Sequence, residues 1–270
     1  MNAPLAKVTR PPLTGPLGDL ILGLDPCLLF RQAGMVADDW QREILFDRDG
    51  FWLLLCCRQS GKTTVIASLA YHTAMTQPGS LVLILTPSER QSKEVLRQVS
   101  EFYLAVHGAP LQDDHITTLK VELGNGSRII ALPGADDRTL RVYAGVDLIL
   151  ADEAARIEDA VFHAVFPMLA TSGGRAILAS TPWFKRGFFH AEWKNGGDSW
   201  RRVKVTADDC PRIDRKFLAR EKRSKPAAWF AQEYMAEWGS LAASLFPADM
   251  VDGMMTDEIA PYAPKRLRFI

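Results

Sequence analysis

The segment from Cys56 to Thr63 constrains the fold more than any other part of this sequence. It joins the short apolar run Trp52–Cys57 to the stretch Thr63–Thr76, whose pattern favours a helix. Its Gly61 and Lys62, with the threonine that follows, match an eight-residue phosphate-binding window, except that a cysteine replaces the usual first glycine. A turn between a strand and a helix N-terminus offers backbone N–H groups to an anion. The segment therefore predicts a phosphate-binding loop in an α/β fold.

Other apolar runs recur along the chain with helix-like stretches between them. Three of them predict further buried strands, at Ser80–Leu85, Asp147–Ala151 and Arg175–Ser180. Ser88–Val106 has helical periodicity, and a hairpin is expected around Gly124–Gly126. This alternation predicts a mostly parallel sheet flanked by helices, in which ligands bind at the carboxyl ends of the strands.

An acidic pair follows the predicted strand Asp147–Ala151. Asp152 and Glu153 come directly after the apolar residues Leu148–Ala151. Beside a phosphate loop, Lys62 would reach the β- and γ-phosphates of ATP, while Thr63 and Asp152 would hold Mg²⁺. Glu153 would then act as the general base that activates water. An acidic pair is also favoured at a helix N-terminus, which is the alternative interpretation of these two residues.

The adjacent Asp-Glu pair narrows the class of nucleotide-binding fold. Nucleotide kinases and small GTPases do not usually place a glutamate directly after the metal-binding aspartate, whereas motor-type ATPases do. We therefore expect a P-loop NTPase fold of the ASCE or RecA-like type, with Mg²⁺-dependent ATPase activity.

The composition is that of a globular protein without a strong preference for anions. The 270 residues carry no formal net charge, so any nucleic-acid contact requires a local patch. Such a patch is present between Arg201 and Lys225, where ten basic residues face four acidic ones and give a local charge of +6. No apolar stretch is long enough to cross a membrane, and we expect no membrane partner.

The motifs, taken in order, resemble those of the large subunit of viral DNA-packaging terminases. The loop Arg58–Thr64 looks like that family's variant phosphate loop, which also tends to lack the leading glycine. The stretch Thr139–Ala155 is similar to the family's arginine-containing loop and Asp-Glu strand. Trp40–Gln41 resembles the family's adenine-recognition motif, and Ala179–Pro182 resembles its coupling motif. Gln232–Tyr234, followed by Leu245–Pro247, resembles the end of its lid region.

The resemblance implies a role for each matching residue. Gln41 would recognise the adenine edge, and Arg141 would be the arginine finger that serves a neighbouring subunit. Arg138 is the alternative finger, because Val142 stands where the family often has glycine after the arginine. The remaining nucleotide-binding residues implied are Arg58, Gln59, Ser60, Gly61, Lys62, Thr63 and Thr64 in the loop, and Ser180 and Thr181 as sensors of the γ-phosphate.

The resemblance also implies a biological role. We expect a motor that hydrolyses ATP to move double-stranded DNA into a viral capsid, in the cytoplasm of the host cell. Its expected partners are double-stranded DNA, the portal protein and the terminase small subunit. It would assemble as a homo-oligomeric ring, with an isolated monomer possible.

Four regions are expected along the chain. Residues 1–16 form a flexible leader, 17–182 the ATPase core, 183–247 a small lid subdomain, and 248–270 a linker and the start of a nuclease domain. Members of the family usually carry such a nuclease domain, with several metal-binding carboxylates, and Lys265–Ile270 resembles its first strand. The sequence stops before the first aspartate of that domain, so we expect this chain not to cut DNA.

Three other functions remain open at this stage. A superfamily 2-type helicase or translocase shares the loop and the acidic strand, but it needs a second RecA-like domain, for which the residues after Pro182 are too few. A nucleotide-gated assembly module would bind ATP with little turnover. A DNA-binding domain with a vestigial loop would not bind ATP.

Overall fold

The computed structural model describes residues 15–112, 116–134, 140 and 142–239. The expected leader therefore lies almost wholly outside the described residues. So do both candidate fingers, Arg138 and Arg141, and everything after Gly239.

One sheet organises the described part of the chain. Its strands stand in the order β3-β4-β5-β2-β6-β7-β1-β8, and all neighbours are parallel except the antiparallel pairs β3–β4 and β4–β5. This confirms the expected mostly parallel α/β class. The strands are β1 Phe51–Cys56, β2 Leu81–Thr86, β3 Ile116–Thr117, β4 Lys120–Glu122, β5 Arg128–Pro133, β6 Leu148–Asp152, β7 Arg175–Ser180 and β8 Trp200–Val205.

Helices cover both faces of this sheet. Short 3₁₀ turns at Ala154–Arg156, Phe166–Leu169, Gly197–Ser199 and Ala207–Asp209 complete the connections. The α-helices are α1 Pro16–Leu24, α2 Cys27–Gln32, α3 Asp39–Phe46, α4 Lys62–Thr76, α5 Glu89–His107, α6 Asp159–Val165, α7 Phe188–Asn195, α8 Arg215–Ser224 and α9 Ala227–Tyr234.

The central strands are buried on both faces, which explains why they are apolar at nearly every position. Every residue of β2 and of β6 is buried. Side chains that alternate along a strand enter two different apolar layers. Leu54 and Ile84 belong to the layer under α4 and α5, while Leu53 and Leu83 belong to the layer on the opposite face of the sheet.

Strand register brings the polar strand ends together. In the parallel pairs, Leu55 of β1 lies beside Ser180 of β7, and Ala179 of β7 lies beside Asp152 of β6. The chain segments that follow β1, β6 and β7 therefore leave the sheet at the same level. This edge carries the candidate site.

The hairpin expected around Gly124–Gly126 forms between β4 and β5. Ser88 caps α5 by accepting a hydrogen bond from the Gln91 N–H. The helical segment before Gly239 is interrupted at Pro226, between α8 and α9. Within the described residues, no helix is long and apolar enough to span a membrane.

Strand β8 lies in the segment expected to form the lid. It pairs along its whole length with β1, the strand that leads into the phosphate loop. The described residues up to Gly239 fall within one compact unit. The division into four regions stays a prediction.

Candidate active site

The loop after β1 has the backbone geometry of a tight anion-binding turn. Gln59 adopts a left-handed φ of 61° and Gly61 a φ of 94°, immediately before α4 begins at Lys62. The φ of Gly61 favours glycine, and a Cβ there would lie 2.8 Å from Gln41 Nε2 and would displace that amide. The first N–H groups of α4 have no partners within their own helix, and they point towards the loop because helical N–H groups point to the N-terminus. The arrangement suits a phosphate group.

Two predicted ligands of a metal ion lie in contact. Thr63, at the start of α4, donates a hydrogen bond of 2.7 Å to Asp152 Oδ2, at the end of β6. A hydroxyl and a carboxylate are hard oxygen donors, which Mg²⁺ prefers, and Mg²⁺ completes its shell with water and substrate phosphates. Among the described residues, no cluster of three or more His, Cys, Asp or Glu side chains forms a metal cage. The pair fits a Mg²⁺ ion bound together with nucleotide.

Lys62 and Glu153 form the closest ion pair of the site. Lys62 Nζ lies 2.7 Å from Glu153 Oε1 and 4.0 Å from Asp152 Oδ1. Glu153 has a left-handed φ of 57°, a conformation that is costly for a residue with a Cβ and is found mainly at functional sites. This bend turns the glutamate side chain back towards the loop.

The residues after β7 complete the surroundings of Glu153. Thr181 donates a hydrogen bond of 2.9 Å to Glu153 Oε2. Ser180 is fully buried and engages only backbone groups, accepting from the Ala155 N–H and donating to the Thr181 carbonyl. Of the two predicted sensors, Thr181 therefore touches the acidic pair, whereas Ser180 fixes the backbone around it.

The charges of the site influence one another strongly. Burial acts to lower the pKa of Lys62, but the two neighbouring carboxylates outweigh it and hold that pKa above its ordinary value. Burial raises the pKa of Asp152, against the opposing effect of Lys62. Burial also acts to raise the pKa of Glu153, yet Lys62, Thr181 and Arg156 prevail and lower it. Glu153 is therefore held as a carboxylate, the form that a general base needs.

Arg156, which no sequence motif indicated, also lies against Glu153. Its Nε is 3.7 Å from Glu153 Oε2, and its guanidinium lies over the ring of Trp183, 3.9 Å from the ring centroid. Its position three residues after Glu153, in a 3₁₀ turn, was the available signal.

Gln41 and Asp38 connect the phosphate loop to a neighbouring cavity. Gln41 Nε2 donates to the Gly61 carbonyl at 3.3 Å, and Gln41 Oε1 accepts from the Asp38 N–H at 2.9 Å. The cavity beside them has a volume of about 390 Å³. Its lining, which includes Thr64 of the predicted loop, consists of Phe30, Gly34, Met35, Val36, Asp38, Gln41, Gly61, Thr64, Pro211 and Arg212.

Two other loop residues have partners outside the loop. The Arg58 N–H donates to the Glu233 carbonyl at 2.8 Å, and Arg58 Nη1 lies 3.0 Å from Glu233 Oε2. The Ser60 carbonyl accepts from Arg212 Nη2 at 2.8 Å. The segments that follow β8 thus hold the loop at two points.

The fold and the site together define a nucleotide-binding domain of the P-loop type, with the phosphate loop and the acidic strand separated by one intervening strand. The family model described as "Terminase large subunit, T4likevirus-type, N-terminal" matches residues 53–252. Because this match covers more than half of the chain, the chain belongs to the terminase large-subunit family, as the sequence resemblance indicated.

A curated relative agrees with this assignment. The large terminase subunit of Escherichia phage T5 is 25% identical over 198 residues, which are 70% of this chain and 44% of that protein. The chain therefore spans less than half the length of the curated relative that it matches.

Solved structures of terminases share the fold. The large terminase ATPase domain of Thermus phage P74-26 has a TM-score of 0.63 at 21% identity, covering 77% of this chain and 96% of that one. The HK97 bacteriophage large terminase has a TM-score of 0.61 at 12% identity, covering 80% and 55%. A large terminase from a thermophilic bacteriophage, solved in complex with ADP, has a TM-score of 0.59 at 14% identity, covering 79% and 57%.

Proposed function

We propose that this chain is a Mg²⁺-dependent ATPase and serves as the motor that moves double-stranded DNA into a viral capsid. The observation that carries the proposal is the convergence of four side chains that lie at or just after the carboxyl ends of β1 and β6. These are Lys62, Thr63, Asp152 and Glu153. Family membership and the ADP complex of a structural relative support nucleotide hydrolysis as their purpose.

Thr63 and Asp152 would hold Mg²⁺, which neutralises phosphate charge when it is bound with ATP. Lys62 would exchange its contact with Glu153 for the β- and γ-phosphate oxygens. Glu153 Oε1 would then be free to accept a proton from the attacking water. Oε2 would remain held by Thr181, so that the carboxylate keeps its orientation while the proton moves.

Gln41 has the capacity that adenine recognition requires. One N–H of its amide is used on the Gly61 carbonyl, and one lone pair of its oxygen is used on the Asp38 N–H. One N–H and one lone pair remain, and together they match the N7 acceptor and N6 amine of adenine. The same side chain would thus link the base to the phosphate loop.

A neighbouring subunit would supply an arginine finger, whose positive charge stabilises the γ-phosphoryl group in the transition state. We propose Arg141 for this role, with Arg138 as the alternative, in a homo-oligomeric ring on the portal. An arginine finger can contribute about 10³–10⁵ in rate, so an isolated monomer should turn over slowly. The terminase small subunit and the host cytoplasm belong to the same proposal.

The test is ATP hydrolysis at increasing protein concentration, with and without Mg²⁺. Wild type is compared with Lys62→Ala, Glu153→Gln, Arg141→Ala and Arg138→Ala, and Lys93→Ala serves as a control at an exposed lysine on α5. We expect specific activity to rise with concentration and to be lost in the first three variants only.

Each other outcome has a definite meaning. Nucleotide binding without turnover at any concentration would instead favour an assembly module that is gated by nucleotide. Activity that Arg138→Ala abolishes but Arg141→Ala spares would reassign the finger. The packaging role is tested separately, by measuring DNA protected from nuclease when empty capsids are supplied with the full-length large subunit carrying Glu153→Gln or wild-type sequence.

A further inference from the structure

The cavity beside the phosphate loop has a wall that comes from a distant part of the chain. Pro211 and Arg212 lie between β8 and α8, inside the basic stretch Arg201–Lys225 that the sequence offers for nucleic-acid contact. The inference drawn from them rests on the proposed function, because it concerns the base of the same bound nucleotide.

Two hydrogen bonds fix the orientation of the Arg212 guanidinium. Arg212 Nη1 donates to Asp38 Oδ1 at 2.6 Å, and Arg212 Nη2 donates to the Ser60 carbonyl at 2.8 Å. Asp38 is fixed in turn by its N–H bond to Gln41, which is bonded to Gly61. A planar group held at two of its nitrogens cannot rotate freely, and the Arg212 side chain is nevertheless 47% exposed.

The remainder of the cavity has the chemistry of a purine site. Phe30, Met35 and Val36 supply apolar surface, and Gln41 supplies an amide edge. Among the described residues, the buried Asp38 Oδ2 has no hydrogen-bond partner. A carboxylate oxygen can accept a hydrogen bond from the 6-amine of adenine, but it cannot pair with the 6-carbonyl of guanine.

We propose that Arg212 is a base-binding residue, whose guanidinium plane packs on the face of the adenine ring of bound ATP. Arginine stacks well on aromatic rings because its planar charge is weakly hydrated. The bonds to Asp38 and Ser60 hold the plane in place, so that little side-chain freedom is lost when the base enters. Arg212 thereby contributes to binding of the base and is not part of a DNA-binding face.

The experiment separates the base from the phosphates. Binding of ATP, GTP and inorganic tripolyphosphate, each with Mg²⁺, is measured by calorimetry for wild type, Arg212→Ala and Arg212→Lys. Arg215→Ala is the matched control, since Arg215 lies in the same basic stretch and pairs with Asp208. Thermal unfolding is recorded for every variant. Arg212→Lys retains a charge near Asp38, so it serves if the alanine variant fails to fold.

We expect Arg212→Ala to weaken ATP binding about tenfold, and Arg212→Lys to weaken it nearly as much, because lysine lacks the plane. Tripolyphosphate binding should change less than about twofold, and GTP binding should weaken by about the same factor as ATP binding, because the guanidinium packs on the face of either purine. Equal losses for ATP and tripolyphosphate would show that Arg212 only supports the phosphate loop, and unchanged ATP binding would show no role; either result overturns the inference. If wild type binds tripolyphosphate as tightly as it binds ATP and GTP, this inference fails while the phosphate site stands. If wild type binds neither ligand, the proposed function fails first.

Discussion

The guanidinium of Arg156 lies over the indole ring of Trp183, with 3.9 Å between the guanidinium carbon and the ring centroid. The same side chain approaches Glu153 Oε2, which also accepts a hydrogen bond from Thr181. Trp183 is only two residues beyond Thr181. The segment after β7 therefore holds the proposed general base both directly and through an arginine.

Removal of the indole should impair turnover more than binding. We expect Trp183→Leu to lower kcat about tenfold, because Arg156 loses its support and Glu153 is placed less accurately. Trp183→Phe keeps an aromatic face and should retain most of the activity. The measurements are kcat and the Kd for ATP. A Kd that rises as much as kcat falls would show that the ring supports nucleotide binding instead.

Thr63 should determine how much Mg²⁺ the reaction requires. Thr63→Val keeps the shape of the side chain but removes the hydroxyl that faces Asp152, whereas Thr63→Ser keeps the hydroxyl. We expect the valine variant to need about tenfold more Mg²⁺ for half-maximal turnover, and the serine variant to resemble wild type. A Mg²⁺ titration of ATP hydrolysis measures this. Identical titration curves for both variants would remove Thr63 from the metal site.

His72 should make the fold sensitive to acid. It is buried on α4, its Nε2 lies 3.0 Å from the Leu22 carbonyl, and burial lowers its pKa from 6.5 to about 4, with smaller effects of Arg48 and Arg175 in the same direction. Below pH 6.5 the unfolded chain takes up a proton that the folded chain resists. Stability is therefore fully present above pH 6.5 and falls as the pH approaches 4, by up to about 3 kcal/mol.

A comparison of the stability of wild type and His72→Gln separates the effect of His72 protonation from that of the other histidines. The glutamine amide can still donate to the Leu22 carbonyl but does not titrate. Urea unfolding at pH 7 and pH 5 should show a smaller loss of stability in the variant. Equal losses would place the acid sensitivity elsewhere in the molecule.

Gly174, just before β7, is required for space. A Cβ there would clash with the Val146 carbonyl oxygen and lie 2.8 Å from the Asp147 carbonyl oxygen. Both are backbone atoms that cannot easily move, so Gly174→Ala should destabilise the fold by about 2 kcal/mol. Gly124→Ala is the control, because a Cβ at Gly124 meets nothing within 4 Å. Thermal unfolding of both variants provides the test, and a matching melting temperature would refute the steric argument.

Much of the fold followed from local sequence patterns. The buried strands were visible because a sheet covered on both faces needs apolar residues at successive positions, and β2 and β6 meet that condition fully. The proximity of Lys62 and Thr63 to Asp152 and Glu153 was predictable, because both pairs belong to short motifs at the carboxyl ends of such strands. The edge strand β8 was missed as part of the sheet, because three of its six residues are basic and it lacks the apolar run that marks the central strands.

The sequence by itself determined the class of fold, the phosphate loop and the acidic pair, since each of these depends on residues that are neighbours along the chain. Only the tertiary structure decided which distant side chains join them. Arg212 is 152 residues away from Ser60, and Glu233 is 175 residues away from Arg58, yet both pairs are in contact. The physical reason is that the register of parallel strands and the packing of the later helices on the sheet set these contacts, and no local pattern records either.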